Sequence, residues 1–174
     1  ADAVRELKEA GITKVVMMTG DSERTAAAIA KRVGVDEYYS EVLPEDKASF
    51  VEKEKKLGHK VIMIGDGIND SLALSSASVG IAISDGAAIA REIADVTISA
   101  DNLHEIVTLK RLSTALMKRI HNNYRTIIGV NGGLIALGVT GVIMPTTSAL
   151  IHNLSTLTIS LRSMRNLLPK EEEI

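Results

Sequence analysis

Apolar positions fall into two patterns along the first hundred residues. Short runs of consecutive β-branched and apolar side chains alternate with stretches whose apolar residues recur every three or four positions. Residues 1–10 place Val4, Leu7 and Ala10 on one face and stop at Gly11. That predicts an amphipathic helix, and the lack of an apolar core segment argues against a signal peptide. The run KVVMMT at 14–19 predicts a buried strand. Residues 21–33 carry helical spacing through Ala27, Ile29, Ala30 and Val33, closed by Gly34. A second short strand is expected at 38–42. Pro44 opens a helix to about Leu57, with Gly58 as its stop. Strands at 60–64, 79–83 and 96–98 then alternate with helices at 68–75 and 87–94. This β-then-α order, with strands that are apolar on both faces, predicts a parallel sheet covered by helices. Ligands of such sheets bind beyond the carboxyl ends of the strands, where Gly20-Asp21 and Gly65-Asp66 fall.

The pattern changes completely after residue 101. Asp101-Asn102 is suited to cap a long helix through Leu103, Val107 and Leu112, carrying Lys110, Arg111, Lys118, Arg119 and Arg125. No Asp, Glu, Lys or Arg follows from 126 to 161, and no Asp or Glu from 106 to 170. Pro145 divides the charge-free run. Residues 126–144, as a helix of roughly 28 Å, match the thickness of a bilayer core. Residues 146–161 are also uncharged but contain His152, Asn153, Ser155 and Thr156. Gly129, Gly132, Gly133, Gly138 and Gly141 suit close packing of membrane helices. Basic residues flank the pair on both outer sides and are absent between, which predicts cytoplasmic ends and an external turn. The competing expectation is a buried helical hairpin.

Composition sharpens this division. The chain has 174 residues and a formal net charge of −2, with 2% aromatic residues and no Cys. Near-neutral charge and the lack of stacking side chains exclude a basic nucleic-acid binder. The absence of Cys excludes disulfides, thiolate metal sites and a Cys nucleophile within these residues. The net charge is the sum of an acidic front, residues 1–111, and a basic back, residues 112–174.

Three segments carry candidate chemistry. Thr19-Gly20-Asp21 and Gly65-Asp66-Gly67-Ile68-Asn69-Asp70 each follow a predicted strand, and Pro44-Glu45-Asp46-Lys47 opens a helix. Two carboxylates four residues apart at a strand-to-helix turn, with glycines that admit a ligand to the backbone, suit Mg²⁺ held with waters and a phosphate. Each segment alone equally fits an ordinary turn or helix start.

In this order and spacing, the TGD, P-x-x-K and GDGxND segments resemble the second half of the phosphorylation domain of P-type ATPases, a branch of the haloacid dehalogenase fold. Residues 77–83 and Ala94-Asp95 extend the resemblance. It implies an α/β fold, a haloacid dehalogenase-like parallel Rossmannoid sheet, followed by a transmembrane helical hairpin. It also implies roles: Thr19 bonding phosphoryl oxygens, Gly20 and Asp21 shaping the same pocket, Lys47 neutralising phosphoryl charge, and Asp66 binding Mg²⁺. Asn69 and Asp70 would complete the Mg²⁺ site, with Gly65 and Gly67 beside it. The nucleophilic Asp of that family sits in a DKTGT segment on the central strand, and no such segment occurs here. The sheet should therefore have a gap between the strand before Gly20 and the strand before Asp66. The implied organisation is half a phosphorylation domain at 1–101, a linker helix at 102–125, two transmembrane helices at 126–168 and a cytoplasmic tail at 169–174.

The two-helix ending resembles the heavy-metal subfamily of these pumps. That implies ATP as the substrate of the intact pump, a transition-metal cation as cargo, and the remaining pump domains and the lipid bilayer as partners. Candidate ligands for the transported ion are Asn131 in the first helix and His152, Asn153, Ser155 and Thr156 in the second. Asn153, Ser155 and Thr156 should lie near one helical face, with His152 near the external interface. Imidazole and amide groups suit a borderline divalent ion better than Cu(I). Rival expectations are a soluble phosphatase of the same superfamily and a membrane-anchored regulatory module that binds Mg²⁺ or phosphate without catalysis.

Overall fold

The computed structural model describes residues 2–66, 68–83, 88–98 and 104–167. The expected helix cap at Asp101-Asn102, Gly67 and the tail at 169–174 lie outside the described residues. The chain divides into two compact units, Ala1–Thr108 and Leu109–Ile174.

The first unit follows the alternation written in the apolar pattern. Its elements are α1 (Asp2–Glu9), β1 (Val16–Met18), α2 (Glu23–Val33), β2 (Glu37–Tyr39), α3 (Pro44–Lys56), β3 (Ile62–Gly65), a single 3-10 turn (Ile68–Asp70), α4 (Ser71–Ser76), β4 (Val79–Ile83), α5 (Ala88–Ile93) and β5 (Val96–Ile98). Pro44 opens α3, where the missing N–H costs nothing. Gly34 closes α2 in the left-handed conformation (φ 82°), which a residue without Cβ adopts freely.

All strands pair in parallel, in two separate ladders. β1 pairs β2 with Val16 opposite Glu37 and Met18 opposite Tyr39. The second ladder has the order β3-β4-β5, with Ile62 opposite Val79 and Ile81 opposite Val96. No ladder joins β1 to β3 among the described residues, which is where the sequence predicts a gap. β1 and β2 are each three residues long, shorter than the stretches at 14–19 and 38–42 that predict them.

The core forms where helices cover the β3-β4-β5 sheet. Ala48 and Val51 of α3 meet Ala73 of α4, with Val61, Met63 and Ala77 packed against them. Leu74 and Ala82 form a second cluster with Met63 and Ala94. Small residues set the spacing: a Cβ on Gly80 would lie 2.8 Å from the Leu74 carbonyl oxygen, so α4 approaches β4 only because position 80 has no side chain. Asp95 then stitches β4 to the chain before β5, donating its N–H to the Gly80 carbonyl and accepting the Gly80 N–H at 2.8 Å.

α6 (His104–Val139) begins at the end of the first unit and, with α7 (Pro145–Ser163), makes up the second. The apolar run predicts a helix to residue 144, but α6 ends at Val139 and a turn with Gly141 at φ 73° follows. Among the described residues, no helix is long and apolar enough to cross a membrane. The reason is specific. Only the last part of α6 is free of charge, and α7 is diluted by His152, Asn153 and several hydroxyl residues. The glycines at 129, 132, 133 and 138 do not mediate close packing within this hairpin, because a Cβ at any of them would meet nothing within 4 Å.

Candidate functional site

Thr19 follows β1 directly and is held by the chain around β2. Its N–H donates to the Tyr39 carbonyl and its own carbonyl accepts the Val42 N–H, both at 3.0 Å. The Thr19 hydroxyl donates to Asp21 Oδ2 at 2.8 Å and accepts the Asp21 N–H at 3.2 Å. Thr19, Gly20 and Asp21 thus form one closed turn at the carboxyl end of a strand, with Gly20 and Asp21 exposed. Glu41, at φ 53°, donates its N–H to the Asp21 carbonyl and braces the turn from the β2 side. Beneath it, Glu23 of α2 accepts hydrogen bonds from the Ser40 hydroxyl (2.6 Å) and the Tyr38 phenol (2.8 Å). These two bonds hold the Glu23 carboxyl below its ordinary pKa.

The second part of the site joins α3 to the turn after β3. The Asp46 carboxylate accepts the Leu43 N–H at 3.2 Å, one of the donors that a helix start leaves unpaired. The next residue, Lys47, donates from Nζ to Asp70 Oδ1 at 2.8 Å, with the side chains only 15% and 10% exposed. Asp70 is the buried charged residue of the described chain and is packed onto Gly65, where a Cβ would lie 2.6 Å from Asp70 Cβ. Gly65 therefore makes room for the carboxylate that orients Lys47. Asp66 and Asn69 are exposed beside this pair. Among the described residues, no hydrogen bond or ion pair connects the Thr19–Asp21 turn with the Lys47–Asp70 pair.

This donor set fits Mg²⁺ in one manner. Among the described residues no group of three His, Asp or Glu converges as a closed metal cage. Mg²⁺ does not need one, since it is commonly held by one or two carboxylates with waters and a substrate phosphate. The exposed Asp66 carboxylate at a strand end has the chemistry and access that such a ligand needs.

In the second unit, α6 and α7 bring two of the five expected ion ligands together. His152 Nδ1 lies 2.8 Å from Asn131 Oδ1. An amide oxygen only accepts, so Nδ1 carries the proton and the lone pair of the neutral ring sits on Nε2. Ser155 and Thr156 donate their hydroxyls back to the His152 carbonyl at 2.8 and 3.0 Å, and Asn153 is exposed elsewhere on α7. His152, exposed on α7, is thus engaged with Asn131.

Two partnerships escaped the sequence. Lys47 and Asp70 are 23 positions apart, and Asn131 and His152 are 21 apart. Nothing in a linear pattern couples them.

A family profile of haloacid dehalogenase-like hydrolases matches residues 1–78. The match lies within the first unit, whose parallel α/β fold is haloacid dehalogenase-like. The chain is 36% identical over 166 residues to a zinc-exporting P-type ATPase of Mycobacterium marinum, covering 95% of this chain and 23% of that protein. It is 36% identical over 166 residues to a manganese-exporting P-type ATPase of Mycobacterium leprae, with the same coverage. It is 40% identical over 163 residues to a copper-exporting P-type ATPase of Bacillus subtilis, covering 94% of this chain and 20% of that protein. A crystal structure of a zinc-transporting PIB-type ATPase in the E2.Pi state matches with a TM-score of 0.89 at 33% identity, over 97% of this chain and 27% of that one. The chain is therefore homologous to the heavy-metal P-type ATPases, and it spans about a quarter of the length of the relatives it matches.

Proposed function

We propose that these residues are part of an ATP-driven exporter of a transition-metal cation that works through an aspartyl-phosphate intermediate. The observation that carries this reading is the Lys47–Asp70 pair seated on Gly65 at the carboxyl end of β3, in a chain similar along 95% of its length to metal exporters. Lys47, held by Asp70, presents its ammonium toward the strand ends, where it offsets phosphoryl charge. The Thr19 hydroxyl, already polarised by Asp21, turns to a phosphoryl oxygen, and exposed Gly20 leaves that oxygen room to approach. Asp66 holds Mg²⁺, with Asn69 and Asp70 completing its surroundings directly or through water, and Gly65 and Gly67 keeping the turn open. Bound there, Mg²⁺ supplies charge neutralisation on the phosphate. The nucleophilic Asp comes from a DKTGT segment outside these residues, on a strand that fits the gap between β1 and β3.

The hairpin of α6 and α7 is the membrane part, with residues 1–125 and the C-terminus on the cytoplasmic side. Its support is its surface. Beyond Ile106 and Val107 at its start, Leu134 is the buried hydrophobic residue of the hairpin among the described residues, while Ile128, Ile135, Leu150, Leu154, Leu157 and Leu161 are all more than half exposed. Such a face needs lipid or further helices over it. The exposed glycines of α6 offer those helices close approach. Asn131 and His152 contribute to the ion path, with Nε2 of His152 as the donor, and Asn153, Ser155 and Thr156 as further candidates. The nitrogen donor favours a borderline divalent cation over Cu(I).

The test is metal-stimulated ATPase activity of the full-length protein over a panel of ions, with His152→Ala and Asn153→Ala alongside. Stimulation by Zn²⁺ or Mn²⁺ that His152→Ala abolishes is the expected result. Activity indifferent to every metal would refute the exporter reading.

A further inference from the structure

The end of the hairpin that carries Arg119 and Arg165 holds a cleft of about 260 Å³, with an unusual lining. Lys118, Arg119, Arg162 and Arg165 converge on it, together with the amides of Asn122 and Asn123. Arg119 is already used: its guanidinium donates to the carbonyls of Ser163 (2.9 Å), at the end of α7, and of Arg165 and Asn166 just beyond it. Asn123 is used as well, donating from Nδ2 to the Ser163 hydroxyl at 2.7 Å. These two residues fix the walls. Lys118, Arg162 and Arg165 remain, exposed and without an ion pair among the described residues. No Asp or Glu occurs anywhere from 106 to 170 to neutralise them. Three unpaired cations and a free amide around a braced cavity form a polyanion site in search of an anion, since like charges held together repel unless one is bound. The exposed apolar faces of α6 and α7 begin directly beside it. A cationic cleft at the foot of a helix pair is the arrangement that binds phosphate-bearing headgroups.

We propose that this cleft binds a phosphate group, supplied by the headgroup of an anionic lipid. The lipid source rests on the membrane reading of the hairpin; the phosphate site itself does not. Lys118, Arg162 and Arg165 supply the charge, Asn122 a neutral donor, and Arg119 holds the α7 end in place.

The full chain, purified in detergent, is examined by native mass spectrometry with phosphatidylglycerol or phosphatidylcholine added. Binding of inorganic phosphate is followed separately by ³¹P line broadening. The variant Lys118→Gln/Arg162→Gln/Arg165→Gln is compared with Lys53→Gln/Lys56→Gln, which removes charge from the exposed side of α3, and circular dichroism checks that both fold. Preferential retention of phosphatidylglycerol is expected, weakened about 100-fold by the triple substitution and untouched by the control. Phosphate binding with the same dependence, and no lipid preference, keeps the site and assigns its source to free phosphate. A triple variant that binds like the parent in both arms overturns the proposal. So does anion binding that emerges only when Glu171, Glu172 and Glu173 are replaced by Gln, because the cleft then belongs to the chain's own tail. Carbonate extraction of the chain from membranes tests the hairpin reading independently.

Discussion

At position 65 a single methyl group would come within 2.6 Å of Asp70 Cβ and 2.9 Å of Asp70 Cγ and Oδ2, a side chain held by the Lys47 ammonium. The Asp70 side chain cannot retreat without straining that ion pair. Gly65→Ala should therefore lower stability by about 1–3 kcal/mol in urea unfolding, the usual cost of overpacking. An unchanged unfolding midpoint would show that the turn yields freely. Asp70→Ala is expected to cost about as much, roughly 2 kcal/mol, because it strands a mostly buried ammonium. Lys47→Met should cost less than Asp70→Ala if the ammonium, rather than the carboxylate, is the group that burial penalises. The sequence marks the GDGxND segment as a candidate phosphate-and-metal turn. The reason for its first glycine was not legible there, since the motif could only suggest backbone access for a ligand, while the folded chain shows a carboxylate packed on that backbone.

Among the elements, the β1-β2 half is tied together by carboxylates. Asp36 accepts from the Lys8 ammonium of α1 and from the Val15 N–H ahead of β1, and both bonds, the Lys8 bond first, hold its pKa below the ordinary Asp value. Glu23 is lowered by the hydroxyls of Ser40 and Tyr38, and Glu37 by the Lys14 ammonium. A carboxyl whose folded pKa is depressed gives stability that is fully present above its unfolded value, about 4, and is lost as pH falls through the folded one. Acidification below about pH 4 should thus loosen α1, β1, α2 and β2 first. Hydrogen exchange measured between pH 3 and 6 would reveal this, and uniform loss of protection across both ladders would contradict it. The elements themselves were largely readable. Strands at 79–83 and 96–98 and the helix from Pro44 follow from apolar runs and Pro and Gly punctuation. The end of α6 was not, because a charge-free run does not reveal where Gly141 turns the chain. If α6 relays motion between phosphorylation and transport, a Gly-Gly insertion after Met117 in the full-length protein should leave metal-dependent ATPase activity but abolish export from loaded vesicles. Undiminished transport would refute that role.

On the scale of the whole molecule, the described residues hold two ladders that share no strand and a hairpin whose apolar side chains are largely exposed. The chain alone is expected to take no label from γ-³²P-ATP and Mg²⁺, and an acid-stable, hydroxylamine-sensitive label on it would overturn that. The sequence by itself determined the alternation of strands and helices, the break in charge at residue 126 and the order of the three motifs. These are local or additive properties, set by side-chain period, turn chemistry and net charge. Only the tertiary structure decided that Asp70 orients Lys47, that Asn131 sets the tautomer of His152, and that four cations meet at one end of the hairpin. Each of those depends on which residues, about twenty to forty-five positions apart, are folded into contact, a quantity that no local pattern of polarity contains.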